Sequence, residues 1–388
     1  MSKINQAIFS VVMPCLNEEK TLGQCIKVVR DLEKKLGTSI PVIVADNGST
    51  DSSVEIAKEL GVLVVSVSEK GYGAALDAGI RCCTTEWVVI ADSDMSYDFA
   101  DSEKMVSFGI VHGADLVIGN RFRGGIEHGA MPSLHKYFGN PVLSKIGRTL
   151  FGLSIGDFHC GLRAFKKNSY LQSNPVTRGM EFATEMIIKF QNLELKIVEI
   201  PVTLKKDGRN RKPHLRSFPD GWRHLKLMIL FAPQIIFLSP GALLIALGLV
   251  PLSQYFFLGK ISLFGLSGDV SASIFSGMVA IFGAQLFVAG VVAVAHAKTK
   301  GVGKFRWMYP TYSVMRKNFS LGVPVFLMLF SGSYLARFLV EWFESDKINL
   351  NPILSTRTTL PSVVVFLIGS QLLFGAIQVR QIISKFWN

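Results

Sequence analysis

The stretch VVIADSDMSYDF, Val88 to Phe99, runs from an apolar strand into three carboxylates, Asp92, Asp94 and Asp98, within seven residues. A charge at the exit of a buried strand is costly unless something neutralises it. Two carboxylates spaced i, i+2 where the chain bends can approach one hard cation, and Mg²⁺ and Mn²⁺ take oxygen ligands together with substrate phosphates. A lone Asp-x-Asp is more often a solvated turn or helix cap. Here the preceding WVVIA, and Asp46 at the end of another strand-like run, favour the metal reading. We therefore expect Asp92 and Asp94 to hold Mg²⁺ or Mn²⁺.

Such a pair needs a scaffold that delivers strand ends to one place. AIFSVVMP, PVIVADNG, VLVVSVS, EWVVIADSD and ADLVIGNRF are short β-branched runs, with helix-length stretches Glu19 to Leu36, Ser52 to Leu60 and Gly73 to Cys82 between them. Strand alternating with helix predicts an α/β domain with a mainly parallel sheet, whose ligands bind beyond the carboxyl ends of the strands. Asn17, Glu18, Asp46, Asn47, Lys70, Asp92, Asp94 and Arg121 all follow strands and so share one rim. KGYGAAL lacks the Gly-Lys-Ser/Thr of a P-loop, and PCLNEEKT after the first strand is no dinucleotide fingerprint. The glycines of KGYG serve either a tight turn with a helix cap or close approach to a nucleotide.

The second half differs in kind. Leu227 to Gly259, Val270 to Ala297, Phe319 to Ala336 and Thr358 to Val379 contain no Lys, Arg, Asp or Glu. Most reach the ~20 residues that a helix needs to cross hydrocarbon. About four spans are expected in an all-α transmembrane domain over 240–388, preceded by a juxtamembrane amphipathic segment, 217–239, and a soluble domain, 1–216. Pro233, Pro240 and Pro251 interrupt the first run, whose start should lie along the membrane surface. Arg337 and Glu341 flank the third, where they snorkel or face other helices. The loop after the second run carries Lys298, Lys300, Lys304, Arg306, Arg316 and Lys317 without an acid, so the positive-inside rule places the soluble domain and the C-terminus in the cytoplasm of a multi-pass membrane protein.

Of the net charge of +12, eight Lys/Arg against two Asp fall between Val202 and Lys226. Beside a membrane segment this patch reads as a collar for anionic lipid, and nucleic acid is not expected as a partner. The five cysteines match no zinc spacing, and a cytosolic setting argues against disulfides. Trp222 reads as an interfacial anchor. His159 and His214 read as packing or hydrogen-bonding residues. The sequence leaves a homo-oligomer open.

VVMPCLNEEKTL, VIVADNGSTDSS, KGYGAALDAGI, ADSDM and GNRFRGG, in that order, resemble the Rossmann-like GT-A domain of family 2 glycosyltransferases. GDFHCGLRAF and GMEFATEMI, with the apolar half, resemble the polyprenyl-phosphate (dolichol-phosphate) sugar synthases. The resemblance implies an enzyme that moves a hexose from a nucleotide sugar, UDP-glucose first and GDP-mannose second, to a polyprenyl phosphate with inversion. It places Pro14, Asn17, Glu18, Asp46, Lys70, Asp92 and Ser93 around the nucleotide sugar, with Asp92 and Asp94 as the metal pair. Arg121, Lys136, Asn140 and Arg163 fall at the lipid phosphate, and Asp157 orients the acceptor or takes a residual proton.

Two departures stand out. Ser96 occupies the position where the family often has a Gln ligand, and KKDGRNRKPHLR replaces the usual basic loop, leaving Lys206, Arg209 and Arg211 as candidates for the diphosphate. A processive polysaccharide synthase would share fold and Asp pair, but its Gln-x-x-Arg-Trp signature is absent. A non-catalytic nucleotide or lipid-headgroup binder would have no use for the intact Asp pair.

Overall fold

The computed structural model describes residues 7–208, 217–263, 266–299, 319–344 and 352–384. They form two compact units, Met1–Met228 and Ile229–Asn388. The expected segment 217–239 is divided between them: α9 (Ser217–Phe231) buries Asp220, His224 and Met228, and His224 Nδ1 hydrogen-bonds Thr184 Oγ1 at 2.8 Å.

In the first unit the five expected strands are present: β1 (Phe9–Cys15), β2 (Val42–Asp46), β3 (Leu63–Ser66), β4 (Trp87–Ile90) and β5 (Leu116–Asn120). Helices α1 (Leu22–Leu36), α2 (Ser53–Glu59), α3 (Tyr72–Cys82) and α4 (Asp101–Val111) connect them. The further helices are α5 (Arg121–Gly124), α6 (Asn140–Phe151), α7 (Lys167–Ser173) and α8 (Phe182–Asn192). Val11, Val12, Val44, Val88, Val89, Leu116 and Val117 are buried, as strands covered on both faces require. Fully burying each such side chain stabilises the fold by roughly 1.5–3 kcal/mol.

Two strands were not expected, β6 (Arg163–Lys166) and β7 (Ile197–Pro201). The order is β3-β2-β1-β4-β6-β5-β7, with β6 antiparallel to both neighbours. Because Arg163 pairs with Ile90 and with Ile118, the start of β6 lies where β4 and β5 end. The segment before β6, GDFHCGL, is thereby brought to the same rim as the aspartates.

Among the described residues the second unit holds a short hairpin, β8 (Ile261–Leu263) and β9 (Leu266–Gly268), and four long helices: α10 (Ser239–Leu258), α11 (Val270–Thr299), α12 (Phe319–Glu344) and α13 (Pro352–Ser384). With the π-helical turn Gln234–Leu238 joined to α10, they provide four stretches long and apolar enough to cross a membrane, at Gln234–Leu258, Val270–Ala297, Leu321–Glu344 and Thr356–Ser384. Small residues bring backbones together, as in membrane helix pairs: a Cβ on Gly248 of α10 would lie 2.4 Å from the Ala280 amide of α11. Arg337 and Glu341 pair with each other at i, i+4, 2.9 Å apart.

Candidate active site

Beyond β4 the chain turns through Met95, whose φ is 67°. Asp94 Oδ1 accepts from the Ser96 amide at 2.9 Å and from its hydroxyl at 2.5 Å. Ser96 thus braces Asp94 with the oxygen that a third metal ligand would use. Ser93 Oγ donates to the Pro14 carbonyl at 2.6 Å, tying the ends of β4 and β1 together. Residues 205–208 lie along this loop, the Lys205 amide donating to Ser96 O and the Gly208 amide to Asp94 O, both at 2.9 Å.

The three carboxylates now separate by role. Lys205 Nζ sits 2.9 Å from Asp98 and, against the opposing effect of burial, holds its carboxyl below the ordinary range. Asp98 also accepts from the Ala100 amide at the start of α4. Asp92 hydrogen-bonds the Tyr72 hydroxyl, whose pKa burial, and then the Asp92 charge, push well above its usual value. Asp92 and Asp94 remain as a pair of hard oxygen donors. Among the described residues no three His, Cys, Asp or Glu side chains converge. A cation here would take two protein carboxylates and complete its shell with water and phosphate, which fits Mg²⁺ or Mn²⁺.

On the β1–β2 side, Asn17, at φ 57°, accepts from the Thr50 amide at 2.7 Å, and its own amide donates to Ser49 Oγ at 2.9 Å. The buried Glu18 accepts from Thr21 Oγ1 at 3.2 Å, and Asp46 accepts from the amides of Gly48 and Ser49 at 3.1 and 3.0 Å. Lys70 Nζ donates to Asn47 O at 2.7 Å. Pro14, Asn17, Glu18, Asp46, Lys70, Ser93 and the aspartates therefore do share a rim. The glycines of KGYG face protein: a Cβ on Gly71, at φ 137°, would lie 2.0 Å from Arg178 O. The amides of Gly73 and Ala74 donate to that same carbonyl. The start of α3 spends these donors internally, and the tight-turn alternative holds.

Arg121, at the start of α5, is buried and forms a two-pronged pair with Asp157: Nε to Oδ2 at 2.7 Å and Nη2 to Oδ1 at 2.8 Å. Glu199 of β7 accepts from the amides of Gly156 and Asp157 at 2.8 and 2.9 Å. Both Asp157 oxygens serve Arg121, which makes this carboxylate an orienting group. Arg163 is 1% exposed and donates to the carbonyls of Cys160, Phe158 and Ala183 at 3.0, 2.9 and 2.6 Å. Its guanidinium ties the GDFHCGL segment to α8. Lys136 lies in the π-helical turn His135–Gly139 with Nζ 5.5 Å from the Tyr137 ring centroid, and Asn140 Nδ2 lies 3.5 Å from Met131 Sδ. Arg209 and Arg211 lie outside the described residues.

The profile of glycosyl transferase family 2 matches residues 10–172, from β1 through the Asp pair to Asp157 and Arg163. The chain is also 31% identical to the low-salt glycan biosynthesis hexosyltransferase Agl6 of Haloferax volcanii, over 371 residues, 95% of this chain and 87% of that relative. It belongs to glycosyltransferase family 2. This glycosyltransferase is 28% identical over 203 residues to a dolichyl-phosphate hexose transferase of the same organism, covering 52% of this chain and 85% of the relative. The crystal structure of glucosyl-3-phosphoglycerate synthase from Mycobacterium tuberculosis with Mn²⁺, UDP and phosphoglyceric acid aligns over 58% of this chain and 77% of that one, at 22% identity and a TM-score of 0.44.

Two groups in the glycosyltransferase site escape a reading by motif. Tyr72 and Glu199 carry no spacing signal, although Tyr72 lies inside KGYG. His159, expected to pack or hydrogen-bond, packs: both ring nitrogens are buried without a hydrogen-bond partner, and its ring meets that of His224 edge-on at 4.7 Å. Burial, then His224 and Arg121, push its pKa well below the ordinary value.

Proposed function

We propose that this glycosyltransferase moves a hexose from a nucleotide diphosphate sugar to the phosphate of a polyprenyl or dolichyl lipid, with inversion, at the cytoplasmic face of a membrane. One observation carries the reading. Asp92 and Asp94 follow β4 and Arg121 follows β5, strands separated only by β6, in a chain whose described residues include four helices long and apolar enough to cross a bilayer. The dolichyl-phosphate relative supports the same acceptor class.

Pro14, Asn17, Glu18 and Asp46 hold the base and ribose, and Ser93 keeps the metal loop against β1. A divalent cation, Mg²⁺ or Mn²⁺, held by Asp92 and Asp94 would offset the charge that develops on the leaving diphosphate. Lys70 and Lys206 add positive charge on that side. Arg121, fixed by Asp157, grips the acceptor phosphate together with Lys136 and Asn140, while Arg163 shapes the wall. A phosphate monoester has a second pKa near ~6 and is largely anionic at neutral pH. The residues need not supply a strong base, only alignment. UDP-glucose is the preferred donor and GDP-mannose the second.

The test is transfer of radiolabelled hexose from each nucleotide sugar into organic-extractable lipid by membranes containing the full chain, with added polyprenyl phosphate and Mn²⁺. Label in an alkali-stable, acid-labile monophosphate lipid supports the reading. Label only in long polysaccharide, or none from any sugar nucleotide, overturns it.

A further inference from the structure

Asp92 and Asp94 are fixed by different means. Asp94 is braced inside its own turn, by Ser96. Asp92 meets two segments that lie far from it in the chain. Tyr72, the first residue of α3, hydrogen-bonds it. Gly161, in the segment before β6, leaves no room beside it: a Cβ there would lie 2.9 Å from Asp92 Oδ2 and 3.1 Å from the Tyr97 ring. Tyr97 is 4% exposed, and its hydroxyl accepts from the Gly161 amide at 2.9 Å.

Both walls are pinned from behind. Tyr72 stands between two glycines that rest on the chain before α8: a Cβ on Gly73 would lie 2.5 Å from Thr177 O and 2.7 Å from Phe182 Cβ, and the Gly73 amide donates to Arg178 O at 2.9 Å. Gly161 is flanked by the buried Cys160 and Leu162, and Arg163 Nε donates to the Cys160 carbonyl at 3.0 Å. Moving either wall disturbs packed backbone.

The kind of donor matters as well. Asp98 and Asp157 each face a cation, Lys205 at 2.9 Å and Arg121 at 2.7 Å, which spends their charge within the protein. Tyr72 is uncharged, so its hydrogen bond fixes the orientation of Asp92 and leaves the negative charge for a metal ion. Removing a group that orients a metal-binding side chain in this way typically weakens metal affinity roughly 10- to 100-fold.

We propose that Tyr72 and Gly161 are positioning residues for the divalent cation: the Tyr72 hydroxyl aims the Asp92 carboxylate, and the absence of a side chain at 161 keeps the place that Oδ2 occupies. The inference rests on the reading of Asp92 and Asp94 as the cation pair. It also makes the segment that carries Asp157 and Arg163 one wall of the metal carboxylate, so a shift of that segment reaches the cation.

The probe is Mn²⁺ alone, titrated into the full chain in nanodiscs of zwitterionic lipid, with free Mn²⁺ read from its electron paramagnetic resonance signal. Tyr72→Phe and Gly161→Ala are compared with the parent and with Asp94→Asn, and a melting curve in EDTA reports whether each variant folds. We expect the Mn²⁺ dissociation constant to rise about tenfold or more in Tyr72→Phe and in Gly161→Ala. Parent-like affinity in either variant overturns the role of that residue whatever its melting temperature, since a merely structural part lowers stability and spares the affinity of the folded protein. Should one variant fail to fold, the other decides. Binding no tighter in the parent than in Asp94→Asn removes the cation pair itself and the proposal with it, so the two failures are distinct results.

Discussion

The two sides of the rim are built differently. On the side proposed to hold the donor, two carboxylates are held by near neighbours: Asp94 by Ser96, Asp46 by Gly48 and Ser49. On the side proposed to hold the acceptor, the groups come from distant parts of the chain: Arg121 is held by Asp157, and the Asp157 amide by Glu199 of β7. The donor side can lose a charge and keep its shape, because the turn survives. At Arg121 and Asp157 the other side cannot, because there charge and architecture are the same contact.

The sharpest break of this contrast is Asp157→Ala. It leaves the buried Arg121 guanidinium unpaired, a change that typically costs about 3–5 kcal/mol. We expect a large loss of thermal stability of the catalytic unit, followed by the fluorescence of Trp87, buried in the core. An unchanged melting curve would mean that the pair is dispensable and the contrast false.

Asp94→Asn tests the other side. The amide oxygen can still accept from Ser96, so the melting curve should match that of the parent. Transfer should fall by at least about a hundredfold, the scale seen when one group that stabilises transition-state charge is removed. Steady-state transfer and nucleotide-sugar binding in Mn²⁺ check this.

His224 supplies a pH test of the acceptor side's packing. Burial lowers its pKa to about 4, against an ordinary 6.5. The unfolded chain binds the proton more readily, so this contribution is intact above 6.5 and is lost as pH falls toward 4. By pH 5 the deficit is about 2 kcal/mol. In His224→Gln the drop in melting temperature between pH 7.5 and pH 5 should be visibly smaller than in the parent.

Lys136→Ala is the smallest and the most selective change. Lys136 holds no buried partner, so stability should not move. Loss of one charge-assisted contact to an anion should raise the acceptor KM about tenfold. Donor KM should stay constant. A selective donor defect would transfer Lys136 to the diphosphate side and break the division of the rim.

The sequence by itself determined what is local. Five β-branched runs became β1 to β5, three of the four charge-free runs fell within single helices long enough to cross a membrane while the first, Leu227 to Gly259, is broken at Ala232 before its apolar span begins, and the Asp pair appeared where an apolar strand stops. Each of these is a pattern over a dozen residues or so, and periodicity and burial act on that scale. What needs distant segments could not be read. RAFK is four residues long and begins with an arginine, so nothing local marks β6 as a strand, still less as an antiparallel one. Its direction nevertheless decides that GDFHCGL reaches the rim. Only packing showed that Lys205 neutralises Asp98, so that three acids in seven residues contain one pair. Only packing made Arg163 a brace, because its charge is satisfied by carbonyls of residues 158, 160 and 183. It also decided between two meanings of KGYG, since the atoms that crowd Gly71 belong to Arg178. A residue's type sets what chemistry it can do, and its neighbours, brought from far along the chain, set whether that capacity is spent on the protein or left for a substrate.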